Sequence, residues 1–248
     1  MAGLIDRLPM LVEIRSENRP VVRANATDAE KDKNGSCSSM LALDLRFFGV
    51  AEYVLSHNIE SFRSQLSEAA QIRDRLFNRF DNGEPIDGSY VTMLSHKSLF
   101  DALAAGDMET AKALASHMGG RDALEQEHDH PFDHAIGYTL RAFVLNDSGQ
   151  MQEWPAKLNA VCAETAMTDF NGYGQVFQAI LANDSAAANE GLKTVVKGHQ
   201  KQSKGKGVFA VTEDEVLCVW GIGMANLAIS HGLQMEGISS LIPQELLV

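Results

Sequence analysis

Three hexapeptides restrict what this chain can fold into: ALAAGD at residues 102–107, AFVLND at 142–147 and AILAND at 179–184. Each opens on Ala and closes on Asp, with Gly or Asn just before the Asp, and their starts lie 40 and 37 residues apart. Gly and Asn tolerate the left-handed backbone that ends a helix, and Asp accepts hydrogen bonds from the free N–H groups opening the next one. A chain punctuated in this way folds as helices turned back on themselves through short joints. Antiparallel hairpins of that kind stack side by side, so the expected architecture is all-α: a single compact, solenoid-like domain of helix hairpins. The period lies between those of tetratricopeptide and larger helical repeats, and the consensus of neither is present.

The rest of the chain reads the same way. Prolines number six in 248 residues and stay out of the long apolar-periodic segments, and strand-like alternation is scarce. Residues 58–80 place Ile59, Phe62, Leu66, Ala69, Leu76 and Phe80 at helical spacing behind Asn58 as N-cap. Residues 40–57 predict a more buried helix before it. Residues 89–105 and 107–118 predict two helices around Gly106, with Gly119 stopping the second. Pro131 suits the first turn of a helix running to Asn146, and Pro155 the start of another. TEDE at 212–215 has the pattern of a capping box, opening an apolar helix that ends at His231 and Gly232. Residues 16–38 read as an irregular arm, and 197–207 as a basic, glycine-punctuated loop, either solvated or touching an acidic surface. The expected organisation is therefore an N-terminal helix and arm over 1–38, then a hairpin domain over 39–248, clearest from 90.

With 45% hydrophobic residues the chain can bury a core without disulfides or metal. Cys37, Cys162 and Cys218 are scattered, with no metal-ligand spacing, as in a reduced, cytoplasmic protein. Asp6 interrupts the N-terminal segment, so no export signal is read there, and the apolar stretch 216–229 falls short of the roughly 20 residues that span a bilayer. Charge is unevenly distributed. Residues 101–190 carry fourteen acids and four bases, and the whole chain has net charge −12. Such a surface disfavours nucleic acid and membrane and favours a basic protein partner. A merely solvated acidic surface is the plain alternative.

The densest polar constellation is EQEHDHPFDH, residues 125–134. Glu125, Glu127, Asp129 and Asp133 are the candidate partner-binding acids. His130 and His134 would share a helix face if a helix opens at Pro131, an acceptable start for a metal site, but no third ligand is identifiable. The simpler reading is an acidic helix N-terminus complementing the helix dipole. No GxSxG, Walker or GxGxxG pattern occurs, GKGV at 205–208 lacks its Ser/Thr, and GYG and GIG fit close helix approach. Cys218 is expected to be inert in an apolar helix, and Trp154 and Trp220 to be packing residues. His117 and His231 suit helix C-termini. The reading is of a protein without catalytic residues, cofactor or resident metal.

Residues 99–118 (LFDALAAGDMETAKALASHM), the AILAND joint, the apolar helix 215–233 and the closing LIPQELLV together resemble the immunity protein 49 family of bacterial polymorphic-toxin systems. The likeness covers roughly residues 90–248. A second all-helical family, the immunity proteins paired with PoNe-type nuclease toxins, has a similar hairpin core. Either resemblance implies a cytoplasmic all-α protein that neutralises a cognate toxin, one delivered for instance by type VI secretion, and occludes its active site. Many such toxins have basic clefts, to which an acidic partner is steered. Homodimerisation stays open. A helical adaptor holding a peptide or chaperone client is the alternative, and it predicts an apolar, peptide-sized groove. A metal-dependent enzyme built on His130 and His134 is the third reading.

Overall fold

The computed structural model describes residues 4–248, which form eleven α-helices joined by short turns and 3-10 segments. The three hexapeptides are its joints. Gly106, Asn146 and Asn183 have φ of +75°, +54° and +50°, and Asp107, Asp147 and Asp184 accept from the N–H of Thr110, Gln150 and Ala187 at 2.9–3.1 Å. The leading Ala also has a role. The N–H of each Asp donates back to the carbonyl of Ala102, Ala142 or Ala179, which closes a Schellman turn. A fourth joint uses other residues: His57 at φ +53° precedes Asn58, whose side chain accepts from the Ser61 N–H.

These joints connect α2 (Ser36–Ser56), α3 (Ile59–Asp81), α4 (His96–Ala105), α5 (Met108–His117), α7 (Pro131–Leu145), α8 (Ser148–Cys162), α9 (Asn171–Ala182) and α10 (Ser185–Gln202), with the short α6 (Asp122–His128) between α5 and α7. Neighbours in sequence pack as hairpins, α2 on α3, α7 on α8 and α9 on α10. The last helix, α11 (Val219–Ser230), does not extend this row; it turns back and packs on α4. Both α4 and α11 are buried on nearly every side; α11 is apolar around its circumference, whereas α4 buries His96, Ser98 and Asp101 along with its apolar residues. The array is therefore closed around a central pair. Glycine permits that closure: a Cβ on Gly223 of α11 would lie 2.9 Å from the Phe100 carbonyl oxygen of α4. Asn226 of α11 locks the tail, donating to the carbonyls of Leu103 and Leu246 and accepting from the Val248 N–H.

Several expectations are corrected. The segment 16–38 is not an irregular arm: α1 runs Leu4–Thr27 through Pro9 and Pro20, and a turn then leads to α2 at Ser36. Only Leu4 and Leu8 of α1 are buried; arginines hold the rest. Arg23 forms a two-point pair with Glu68, Arg19 reaches Gln65, and Arg15 and Arg19 cover the rings of Phe47 and Phe48. The following turn is tied down by the buried Asp32, which accepts from Ser38 and Arg79. In the basic segment, residues 197–202 still belong to α10, where Lys201 pairs with Asp169 of this same chain. Pro155 lies inside α8 rather than at its start. Residues 88–95 are two 3-10 turns, so α4 begins only at His96. TEDE is a 3-10 turn, not a capping box, and α11 opens at Val219 behind the buried Cys218.

Candidate functional site

Three of the four acids nominated from the sequence, Glu125, Asp129 and Asp133, turn inward. Asp129 receives the Met93 and Leu94 N–H groups at 3.1 and 3.3 Å, which caps the 3-10 turn ahead of α4. Glu125, 1% exposed, accepts from Tyr138 Oη and the Arg121 N–H. Asp133 is half-buried, its Oδ1 3.6 Å from His96 Nε2, and burial raises its pKa. Glu127 alone of the four is exposed. Glu125, Asp129 and Asp133 form a junction between α6, α7 and α4 rather than an outward patch, Glu125 and Asp129 being drawn in by the N–H groups they accept from. The exposed acids of the block are Glu109, Asp122, Glu127, Glu153, Glu164, Asp184 and Glu190, spread over several helices.

The histidine pair separates as well. His130 is the N-cap of α7, its Nδ1 accepting from the Phe132 N–H, with Pro131 at the first helical position. His134 instead faces Glu125 and Asp129, at 3.6 and 3.9 Å, and these three bring one ligand atom each within 4.8 Å of one another. Both carboxylates are already engaged by N–H or O–H donors, so the trio is accounted for as a hydrogen-bonded junction.

A concavity lies elsewhere. It is a half-open cleft of about 730 Å³ between α2, α3, α4, α7, α11 and the 203–218 segment. Phe132, Phe170, Phe209 and Trp220 supply a ring wall: Phe132 and Phe170 lie 4.5 Å apart, and Phe209 meets Trp220 edge-on at 5.2 Å. At the mouth Leu43 and Val208 are 54% and 62% exposed, apolar surface facing water. Trp220, 6% exposed, is a packing residue that also lines the cleft. Trp154 is a packing residue, stacked on Tyr138 at 4.3 Å.

Beside this wall sits a charge network that no motif announced. Arg46 of α2 donates through Nε to Asp101 of α4 at 2.8 Å, through Nη2 to Asp214 at 2.8 Å, and through Nη1 to Glu213. Arg46, Asp101 and Asp214 are all under 9% exposed. Burial pushes Asp101 up to about 6 against the opposing pull of Arg46. Glu213 and Asp214 of TEDE are therefore counter-ions, and Glu215 accepts from the Leu4 and Val211 N–H groups, which turns all three away from capping α11. Next to them, Arg73 of α3 lines the cleft without any carboxylate at ion-pair distance among the described residues. It donates to the Tyr90 carbonyl at 3.1 Å and to Ser39 Oγ at 3.3 Å, and burial lowers its pKa to about 10. A weak sign of this network stands in the sequence: Arg46 interrupts an apolar run, LALDLRFFGV, and Asp101 another, LFDALAA.

The cleft is flanked by further titratable groups. His96, at its edge, donates Nδ1–H to the Met93 carbonyl, and burial holds its pKa down at about 3, so it stays neutral. Among the described residues no Ser, Thr or Cys side chain hydrogen-bonds to a histidine ring. Burial pushes the Cys162 thiol up to about 11 and Cys218 higher still, which suits inert thiols. No helix of the described residues is long and apolar enough to cross a membrane. Neither a family model, nor a curated protein, nor a solved structure matches this chain.

Proposed function

We propose that this protein works by binding a partner polypeptide, as an immunity protein that neutralises a toxin inside the producing cell, and that a segment of the partner enters the cleft. The observation that carries the reading is the combination of an aromatic wall, an apolar mouth in water at Leu43 and Val208, and a half-buried arginine, Arg73, that no carboxylate contacts at ion-pair distance among the described residues. The resemblance to toxin-immunity proteins supplies the partner class. The scattered exposed acids add long-range attraction for a basic toxin, raising the association rate more than the final affinity.

The adaptor reading draws on the same groove, and a partner assay separates the two. The polypeptide encoded beside this chain is expressed, tested for toxicity, and titrated against the protein. Toxicity relieved by co-expression, together with a complex weakened at least tenfold by Leu43→Asp with Val208→Asp, is the expected result. Both positions are exposed, so the fold is retained. Unaltered affinity of that double variant removes the cleft from the reading, and a non-toxic neighbour with client-like binding favours the adaptor.

A further inference from the structure

We propose that the cleft recognises a carboxylate: the entering segment presents an acidic side chain to Arg73 and lays a large apolar neighbour on the Phe132–Phe170–Phe209–Trp220 wall. This deepens the reading of the cleft as the binding surface and rests on it. The first support is an account of guanidinium donors. Arginine offers five N–H groups. Arg73 spends one on the Tyr90 carbonyl and one on Ser39 Oγ, while its Nε is buried with no hydrogen-bond partner. The buried arginine of the cleft, Arg46, has every nitrogen on a carboxylate. Arg73 is half-buried, over the Tyr90 ring at 5.5 Å and within the field of Asp101. It keeps Nη N–H groups that no carboxylate occupies, and an entering carboxylate can pair with these in two-point geometry.

The charged lining of the cleft is balanced, with Arg15, Arg46, Arg73 and Lys97 against Asp101, Asp133, Glu213 and Asp214. Three of those acids are held by Arg46, so they do not occupy the open donors of Arg73. At the rim stands Lys97, exposed and without an ion pair among the described residues; Arg15 reaches Asp44 only at 3.9 Å. The mouth decides between a polypeptide segment and a free organic acid. A small acid seated inside would leave Leu43 and Val208 in water, whereas a chain crossing the mouth covers them.

The test uses Trp220 as reporter. The chain has two tryptophans, so Trp154→Phe leaves one, in the cleft wall. The probes are the blocked tripeptide acetyl-Phe-Glu-Phe-amide, its Gln counterpart, and 3-phenylpropionate. Saturable change in Trp220 emission is expected with the Glu peptide, at least tenfold weaker with the Gln peptide, and at least tenfold weaker again for the Glu peptide on Arg73→Gln. Arg73→Lys should keep part of the affinity. The Arg73→Gln protein should melt no lower than its parent, because desolvation outweighs the pull of Asp101 on that charge; a lowered midpoint would mark Arg73 as structural and overturn the proposal. Equal binding of the Glu and Gln peptides overturns it too, as does absence of saturable binding, and phenylpropionate binding as tightly as the peptide overturns the choice of a segment. Should the carboxylate fail while Leu43→Asp with Val208→Asp still weakens the partner complex, only this inference falls and the cleft reading stands.

Discussion

His96 and Asp101 sit five residues apart in α4, both buried, and they pull the pH dependence of stability in opposite directions. The folded His96 titrates near 3 and a free histidine near 6.5, so the unfolded chain takes up a proton that the folded chain refuses. Stability from this group falls as the pH drops through that window, by at most about 1.4 kcal/mol per pH unit. Asp101 titrates near 6 when folded, against 3.8 for a free aspartate, so the folded chain keeps a proton that the unfolded chain has lost. Its contribution is present at low pH and fades as the pH rises from about 4 to about 6. In the intact protein the two slopes offset each other. Urea unfolding at about pH 4, 5 and 6 should therefore give His96→Asn a stability that declines more steeply with rising pH than the parent's. Asp101→Asn should give one that rises more steeply. Parallel curves for all three proteins would contradict the burial of both groups. Only the histidine and aspartate themselves are visible in the sequence; the shifts come from helices α4 and α11 closing over them.

At the scale of elements, the joint is the unit, and it is the most legible feature of the chain. Gly or Asn before Asp is a local instruction: the first residue takes positive φ, the second caps, and neither needs distant contacts. Replacing Asp147 or Asp184 by Ala should cost about 1 kcal/mol each, and Asn183→Gly should cost little or stabilise slightly, all measurable by thermal unfolding. Where neighbours on other helices decide, local patterns mislead. The acids of TEDE could have capped a helix, but Arg46 lies within reach and a buried cation binds carboxylates more strongly than a helix end does. The helix α1 escapes a periodicity reading because its apolar residues form no single stripe, with Met10, Ile14 and Val21 exposed, and its hold on α2 and α3 comes from arginines. The close pairing of α9 with α10 is legible through GYG. A Cβ on Gly172 would fall 2.4 Å from the Val195 backbone nitrogen, so Gly172→Ala should destabilise by about 1–3 kcal/mol through overpacking.

For the whole molecule, the ionic cluster at Arg46 joins chain segments 168 residues apart, tying α2 and α4 to the turn before α11. Removing the cation strands three carboxylates around the cleft. Arg46→Met should therefore cost about 3–5 kcal/mol, far more than the loss of an exposed pair such as Lys157 with Glu153. Comparable losses from the two variants would deny the cluster its place in the core. At this scale the acidic block also changes meaning. Of its fourteen acids, Asp107, Asp147 and Asp184 cap helices, Asp101 neutralises Arg46, and Glu125 and Asp129 anchor a turn. Much of the charge serves the scaffold. Reversing Glu127, Glu153 and Glu164 to lysine, all exposed, tests the remainder: slower partner association with a weaker salt dependence is expected in stopped-flow mixing. An unchanged rate at low salt would leave the block with structural work alone.

The sequence by itself determined the helices and most of their joints, because capping and left-handed turns depend on residues within six positions of one another. It also determined the absence of any recognisable nucleophile or phosphate-loop pattern. The candidate site was decided only by the tertiary structure. Arg46, Arg73, Asp101, Asp214 and the ring wall come from separate elements, and they meet because α11 returns to α4 and closes the array. Burial then decides which charge is paired and which is left open. That is a property of the closed shape, and no spacing along the chain records it.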